Sequence, residues 1–160
     1  MDPMERTEKI DKYGAAYDEL VEALAQFPRE MWQYRPSPED WTIHEIIIHI
    51  TDSEANSYVR ARRLLAEPGK AVMAYDEMLW GTMLRYHFQN PVTALELFRW
   101  LRQSTYELIR ELPDEKWANA GEHPEHGQYS LETWLEIYTR HVPEHISQML
   151  RVYDAWLEAA

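Results

Sequence analysis

Four segments of this 160-residue chain carry apolar side chains at helical spacing, and most of them open or close at a proline. Apolar residues that recur every three or four positions turn one face of an α-helix toward a core. The segments begin near Asp2, Thr42, Asn90 and Ser130. Amphipathic helices of this length bury their apolar faces against one another. The pattern therefore predicts an all-α protein, a four-helix bundle formed by a single domain that covers residues 1–160.

Capping residues mark the predicted helix starts. Asp2 and Asn90 each precede a proline, which pairs a side-chain acceptor with the residue best suited to the first helical position. Thr42 is followed three residues later by Glu45, which is the form of a capping box.

The connection between the second and third long helices is rich in Met and aromatic residues. We predict a short helix within it, around residues 76–87. The connection either packs on the bundle as a crossing segment or forms the wall of a ligand pocket, where Met and aromatic side chains adapt to apolar substrates. His87 lies in this connection and is expected in the core or in the pocket.

The sequence Pro-x-Glu-x-Trp occurs twice, at residues 28–32 and 113–117, each time between two predicted helices. It favours two similar helix-loop-helix halves in which the second and fourth helices are counterparts. Proline stops that arose independently would give the same pattern.

Composition excludes several classes of function. The formal net charge of −12 argues against nucleic acids and anionic membranes as partners, because binding them requires Lys and Arg. The absence of Cys excludes disulfides, Cys-based zinc sites and a cysteine nucleophile. No apolar stretch approaches the ~20 residues of a membrane span, and residues 1–6 are not followed by the apolar run of a secretory signal. We expect a soluble cytoplasmic protein.

Two histidines stand out in the fourth helix. His141 and His145 are one turn apart within its apolar face. Imidazoles with this spacing can bind one divalent ion, although core histidines with hydrogen-bond partners on both nitrogens would fit the same pattern. Gln148 lies one turn further along and is a candidate hydrogen-bond partner for a ligating imidazole. Pro143 between the histidines either kinks the helix or is tolerated because the bundle holds both sides.

A third histidine, His49, lies at the edge of the isoleucine-rich face of the second helix. Ser53, Asn56 and Arg60 continue a polar stripe from it. The stripe is either a solvated edge or the lining of a polar cavity in the bundle. For Arg60 we expect a surface ion pair, with contact to an anionic substrate as the alternative.

The remaining histidines give weaker signals. His44, in the first turn of the second helix, is expected at the surface. His123 and His126 have metal-like spacing, but they lie in a Gly- and Pro-containing segment for which we expect a solvated loop. A ferritin-like carboxylate site would need Glu-x-x-His on two helices, and the predicted bundle helices lack that motif.

Together these residues resemble the DinB/YfiT-like superfamily over almost the whole chain. The residues that carry the resemblance are Trp41, Thr42, Ile43, Glu45, His49, Ile50 and Asp52, followed downstream by His141, His145, Ile146 and Gln148. The resemblance implies a four-helix bundle with up-down-down-up connectivity, which the long connection between helices two and three permits. It also implies a metal-binding triad formed by His49, His141 and His145.

The resemblance also implies a range of functions. Characterised relatives include transferases that use low-molecular-weight thiols such as bacillithiol or mycothiol. We expect a metal-dependent enzyme with a small-molecule substrate, a low-molecular-weight-thiol S-transferase that uses a thiol cosubstrate, with a metal-dependent hydrolase or a non-catalytic metal- or ligand-binding module as alternatives. Zinc and nickel both suit imidazole ligands. Asp52, one turn from His49, is a candidate base or orienting residue, and pairing through an aromatic face would give a homodimer.

Overall fold

In the computed structural model, which describes residues 1–159, the four predicted amphipathic segments are long helices. The α-helices are α1 (Pro3–Leu24), α2 (Ile43–Ala66), α3 (Glu77–Met83), α4 (Pro91–Ile109) and α5 (Leu131–Ala159). Short 3-10 helices cover Arg29–Met31, Tyr86–Phe88 and Asp114–Ala118, and two strands cover β1 (Ala120–His123) and β2 (Gly127–Ser130). No helix within residues 1–159 has the length and apolar character needed to cross a membrane.

The helices begin at the predicted capping residues. The Asp2 carboxylate accepts a hydrogen bond from the backbone N–H of Glu5 at 2.9 Å, and the Asn90 side chain caps α4 in the same way. At the start of α2, Thr42 Oγ1 accepts from the Glu45 N–H, while the Glu45 carboxylate accepts from the Thr42 N–H. This capping box is confirmed, and it fixes the register of the helix that carries His49.

The four long helices pack as a bundle in which α1 and α2, although consecutive in the sequence, are not neighbours. Helix α2 packs chiefly on α4 and α5, and α1 packs chiefly on α5 and α4. Helices α1 and α2 therefore lie across the bundle from each other. This arrangement places α2 directly beside α5. The up-down-down-up order of helix directions stays a prediction, as does the single domain over the whole chain.

A buried ion pair joins two hydrophobic clusters of the core. Arg102 donates to the Glu54 carboxylate at 2.7 Å, and both side chains are almost fully buried. The Arg102 guanidinium packs on Phe98 in one cluster and on Tyr13 in the other. Because a buried charge is costly without its partner, loss of either residue would leave an unpaired charge between α2 and α4.

The repeated Pro-x-Glu-x-Trp sequence forms the same structure twice. Each copy folds as a 3-10 helix, at Arg29–Met31 and Asp114–Ala118. Trp32 is buried in one hydrophobic cluster and Trp117 in the other. Two turns of the same kind therefore cover the two parts of the core.

The all-α prediction is wrong for residues 120–130, which form an antiparallel hairpin of β1 and β2. The chain after α2 joins its edge, because the N–H groups of Gly69 and Val72 donate to carbonyls of Ala120 and Glu122. Gly121 permits this approach, since a Cβ there would lie 2.2 Å from a backbone oxygen of Lys70. Neither strand alternates apolar and polar residues, the pattern from which a sheet is predicted.

The connection between α2 and α4 contains the predicted short helix in two pieces. Helix α3 is followed by the 3-10 helix Tyr86–Phe88, and Arg85 between them adopts a left-handed conformation with φ of 54°. No residue of α3 is buried, whereas Tyr86 is completely buried. The connection is therefore anchored by Tyr86, and α3 lies at the surface.

Candidate metal centre

Three histidines from two neighbouring helices meet in the bundle. His49 comes from α2, and His141 and His145 come from α5. One ring nitrogen of each lies within 4.8 Å of the others. The Nε2 atoms of His141 and His145 are 3.2 Å apart, and the ring of His49 is 4.7 Å from that of His145 between centroids. The packing of α2 against α5 thus brings together residues that are about 90 positions apart in the sequence.

The spacing of these nitrogens fits a divalent ion. Two ligands at the usual Zn–N distance around a tetrahedral ion stand about 3.3 Å apart, close to the 3.2 Å between His141 and His145. Imidazole is a common ligand of zinc and nickel. Three neutral imidazoles leave coordination positions open, as in catalytic rather than structural sites. The triad could therefore hold one ion and leave room for a further ligand.

Burial keeps the three imidazoles neutral. The side chain of His49 is 1% exposed, and burial lowers its pKa to about 3, with His145 nearby adding to the shift. Burial likewise lowers the pKa of His141, to well below its usual value, and that of His145. A neutral imidazole offers a lone pair to a metal, so protons do not compete for the site at pH 7.

Gln148 orients one of the three rings. Its Oε1 lies 2.8 Å from Nδ1 of His145, which makes Nδ1 the donor and leaves Nε2 free as an acceptor. This is the contact expected from the sequence. The ring of His49 packs against Trp41 at 4.6 Å between centroids. Within the described part of the chain, Nδ1 of His49 is buried and has no hydrogen-bond partner.

Asp52 lies one turn along α2 from His49, and its carboxylate already has a partner. The hydroxyl of Tyr86 donates to Oδ2 of Asp52 at 2.7 Å. Burial raises the pKa of Asp52, and the hydrogen bond from Tyr86 opposes that shift. Asp52 is not among the residues whose ligand atoms converge, and its role as a base or orienting residue stays a prediction.

A carboxylate that the sequence did not single out lies closer to the triad. Oε2 of Glu77, in the first turn of α3, is 3.7 Å from Nε2 of His49. Glu77 also lines a cleft of about 180 Å³, together with Trp41, His145 and Gln148. In the sequence, Glu77 is indistinguishable from the acidic residues common in first helical turns. Only the fold of the connection reveals its position.

The polar stripe on α2 lines the interior of the bundle. Ser53 and Asn56 are buried. This contradicts the prediction of a solvated edge and favours the alternative, a stripe that lines a polar cavity in the bundle. Arg60 donates to the carbonyl of Met73 and to the Tyr138 hydroxyl. The predicted surface ion pair of Arg60 is therefore wrong. Arg60 instead ties α2, the connection and α5 together near the histidines.

Two other histidine predictions are also wrong. His44 is buried, with Gln33 beside its Nδ1 at 3.0 Å and the carbonyl of Gln89 accepting from its Nε2 at 2.8 Å. The connection folds back over the first turn of α2, which helical periodicity alone cannot predict. His87, expected in the core or a pocket, is exposed.

A second histidine cluster lies in the turn of the hairpin. His123, Glu125 and His126 have ligand atoms within 4.8 Å of one another. His123 is 3% exposed, which contradicts the predicted solvated loop, whereas His126 is exposed. Nδ1 of His123 accepts from the backbone N–H groups of Glu125 at 3.1 Å and of His126 at 3.4 Å. This nitrogen therefore stabilises the turn.

Comparison with known proteins places the chain among bacterial relatives. It is 30% identical to the Bacillus subtilis protein YfiT over 149 residues, covering 89% of this chain and 83% of the relative. It is 28% identical to an Oceanobacillus iheyensis protein over 109 residues, covering 68% of this chain and 63% of the relative. Both relatives are named "putative metal-dependent hydrolase".

The fold has a solved counterpart. A structure of YfiT from Bacillus subtilis, described as "a probable metal-dependent hydrolase with an unusual four-helix bundle topology", superposes with a TM-score of 0.87. The match has 24% sequence identity and covers 95% of this chain and 87% of that one. It confirms the four-helix bundle. Residues 12–149 match the DinB superfamily. The chain belongs to the DinB superfamily, as the resemblance in its sequence predicted.

Proposed function

We propose that this protein is a metal-dependent hydrolase whose divalent ion is held by His49, His141 and His145. The observation that carries the proposal is the convergence of three neutral imidazoles, two of them with Nε2 atoms 3.2 Å apart. The names of the bacterial relatives support hydrolysis as the reaction.

The side chains around the triad have defined roles in this proposal. His49, His141 and His145 would hold the ion, which would act as a Lewis acid and lower the pKa of a coordinated water or thiol. Gln148 fixes the ring of His145 through Nδ1. Trp41 packs on His49 and lines the cleft beside His145, so it limits both ring motion and access of solvent. The cleft has a volume of about 180 Å³, below the roughly 300–1,000 Å³ of ordinary ligand pockets, which favours a substrate of few atoms.

The thiol S-transferase function predicted from the family resemblance is the second candidate. The chain has no Cys, so a thiol nucleophile would come from a cosubstrate that occupies the open position at the triad. Zinc or nickel as the ion, Asp52 as an orienting residue, a homodimer and a cytoplasmic location are further parts of the proposal. If the protein is not an enzyme, the alternative is a non-catalytic metal-binding module.

A reconstitution experiment tests the function. The protein is stripped with a chelator, reloaded with Zn²⁺ or Ni²⁺, and assayed against ester, amide and thiol-plus-electrophile substrates. We expect turnover to return with the metal in wild type and in His126→Ala, but not in His145→Ala. Turnover that survives chelation, or that is equal in His145→Ala, would contradict the proposal. Metal binding without turnover of any substrate class would favour the non-catalytic module.

A further inference from the structure

We propose that Glu77 is a catalytic residue, which holds the attacking water by a hydrogen bond to Oε2 and receives its proton. This assignment rests on the proposed hydrolase function. It adds to the three histidines a fourth residue, contributed by the connection between α2 and α4 rather than by a bundle helix.

The position of Glu77 fits a water-holding role better than that of a metal ligand. Its Oε2 lies 3.7 Å from Nε2 of His49. This distance is too long for a direct hydrogen bond, and it places the carboxylate next to the position where a water on the ion would lie. In the described part of the chain, Glu77 does not join the group of ligand atoms that all lie within 4.8 Å of one another. The carboxylate therefore lies at the rim of the candidate metal centre.

The carboxylate of Glu77 is also available to accept a proton from water. Its contact with Nε2 of His49, at 3.7 Å, is longer than a hydrogen bond, so it does not fix the carboxylate in place. The other candidate base, Asp52, accepts a hydrogen bond from Tyr86 instead. The side chain of Glu77 is 59% exposed and belongs to a helix without buried residues. It can adjust to a substrate while facing the cleft that it shares with His145.

The proposed step balances without an oxidant or reductant. An O–H bond of water breaks as its oxygen attacks the carbonyl carbon of an ester or amide, and the proton passes to Oε2 of Glu77. The C–O or C–N bond then breaks, and the leaving oxygen or nitrogen takes the proton from Glu77. One water is consumed, and the Glu77 carboxylate is regenerated.

Two small probes test this role on the full chain loaded with Co²⁺, whose visible absorption reports binding. Acetohydroxamate ligates a metal and presents a proton to a neighbouring carboxylate, whereas azide ligates without a proton to donate. We expect Glu77→Gln to weaken acetohydroxamate binding about 30-fold, the usual size for a hydrogen bond to a charged group. Azide affinity should stay within about threefold, since Glu77 is a partly exposed and screened charge.

Asp76→Asn provides the matched control. Asp76 caps α3 by accepting from the Leu79 N–H at 2.9 Å, and Asn caps a helix equally well. The variant therefore removes one negative charge from the same helix start and preserves the fold. We expect the affinities of both probes to stay within about threefold of wild type, because the charge is screened by solvent.

Several outcomes would overturn the assignment. Equal acetohydroxamate affinity in Glu77→Gln and wild type would contradict it, as would an equal loss in Asp76→Asn, which would indicate a general charge effect. Loss of Co²⁺ from Glu77→Gln would make Glu77 a ligand instead. In each of these cases the proposed hydrolase function stands. Wild-type protein that binds no Co²⁺ would contradict the function itself, and the role of Glu77 with it.

Discussion

The two histidine clusters of this protein use similar residues in different ways. The bundle cluster, His49, His141 and His145, is held by two long helices. The hairpin cluster, His123, Glu125 and His126, lies in the turn between two four-residue strands. In each cluster the three ligand atoms lie within 4.8 Å of one another.

The clusters differ in what the ring nitrogens bond to. In the bundle, Nδ1 of His145 donates to Gln148, so Nε2 carries the lone pair and faces another ring nitrogen, Nε2 of His141, at 3.2 Å. In the hairpin, Nδ1 of His123 already accepts from two backbone N–H groups. A lone pair that stabilises a turn is unavailable to a metal unless the turn opens. Histidines that lie close together therefore do not by themselves form a metal site. The hydrogen bonds of each ring decide whether it can bind a metal ion.

The largest expected effect is the loss of zinc binding from the bundle cluster. We expect His49→Ala, His141→Ala or His145→Ala to weaken zinc binding by roughly 100-fold or more, because each removes one of three ligands. His126→Ala should change it by less than about threefold. Isothermal titration with Zn²⁺ measures both. A comparable loss in His126→Ala would show that the hairpin also binds the ion.

The hairpin cluster should instead contribute to stability. We expect His123→Ala to lower the free energy of unfolding by about 2 kcal/mol, because two backbone donors in the turn lose their acceptor. Urea denaturation of the metal-free protein measures this, with His126→Ala as the exposed control. An unchanged midpoint in His123→Ala would remove the turn-stabilising role on which the comparison depends.

Beside the bundle cluster, Gln148 should affect the affinity for the metal without coordinating it. We expect Gln148→Ala to weaken zinc binding about 10-fold, the lower range for partners of ligating histidines. Gln148→Glu preserves an acceptor for Nδ1 of His145 and serves as the control. Competition with a chromogenic chelator measures the affinity, and an unaltered value in Gln148→Ala would mean that packing alone orients the ring.

The smallest expected effect is the response of zinc binding to mild acid. Burial lowers the pKa of His49 to about 3, lowers that of His141 well below its usual value and also lowers that of His145, so His49 and His141 stay neutral at pH 6.5 and less than half of His145 is protonated. Affinity should then fall less than about twofold between pH 8 and pH 6.5, whereas three ordinary histidines, half protonated at pH 6.5, would lose about eightfold. Titration at the two pH values distinguishes these outcomes.

Local signals predicted the parts of the fold that depend on neighbouring residues. Capping by Asp2, Thr42 and Asn90 and the apolar periodicity of the long helices are properties of short segments, and both are confirmed. The same periodicity placed His141 and His145 on one face of α5. It could not pair them with His49, because the choice of helix neighbours is a property of the whole bundle. The family resemblance supplied that pairing.

The missed features depend on contacts distant in sequence. Glu77 reaches His49 only through the path of the connection, and the same connection buries His44 by placing the carbonyl of Gln89 beside it. The hairpin forms because Gly121 lets the chain after α2 approach its edge. None of these contacts leaves a periodic pattern in the sequence.

Elemental analysis of protein purified without a histidine tag tests the central claim most directly, because it counts the ions that each cluster holds. We predict one divalent ion per chain in wild type and in His123→Ala, and none in His49→Ala. An ion that persists in His49→Ala but disappears in His123→Ala would contradict the account, and so would wild-type protein that takes up no ion even when zinc and nickel are supplied.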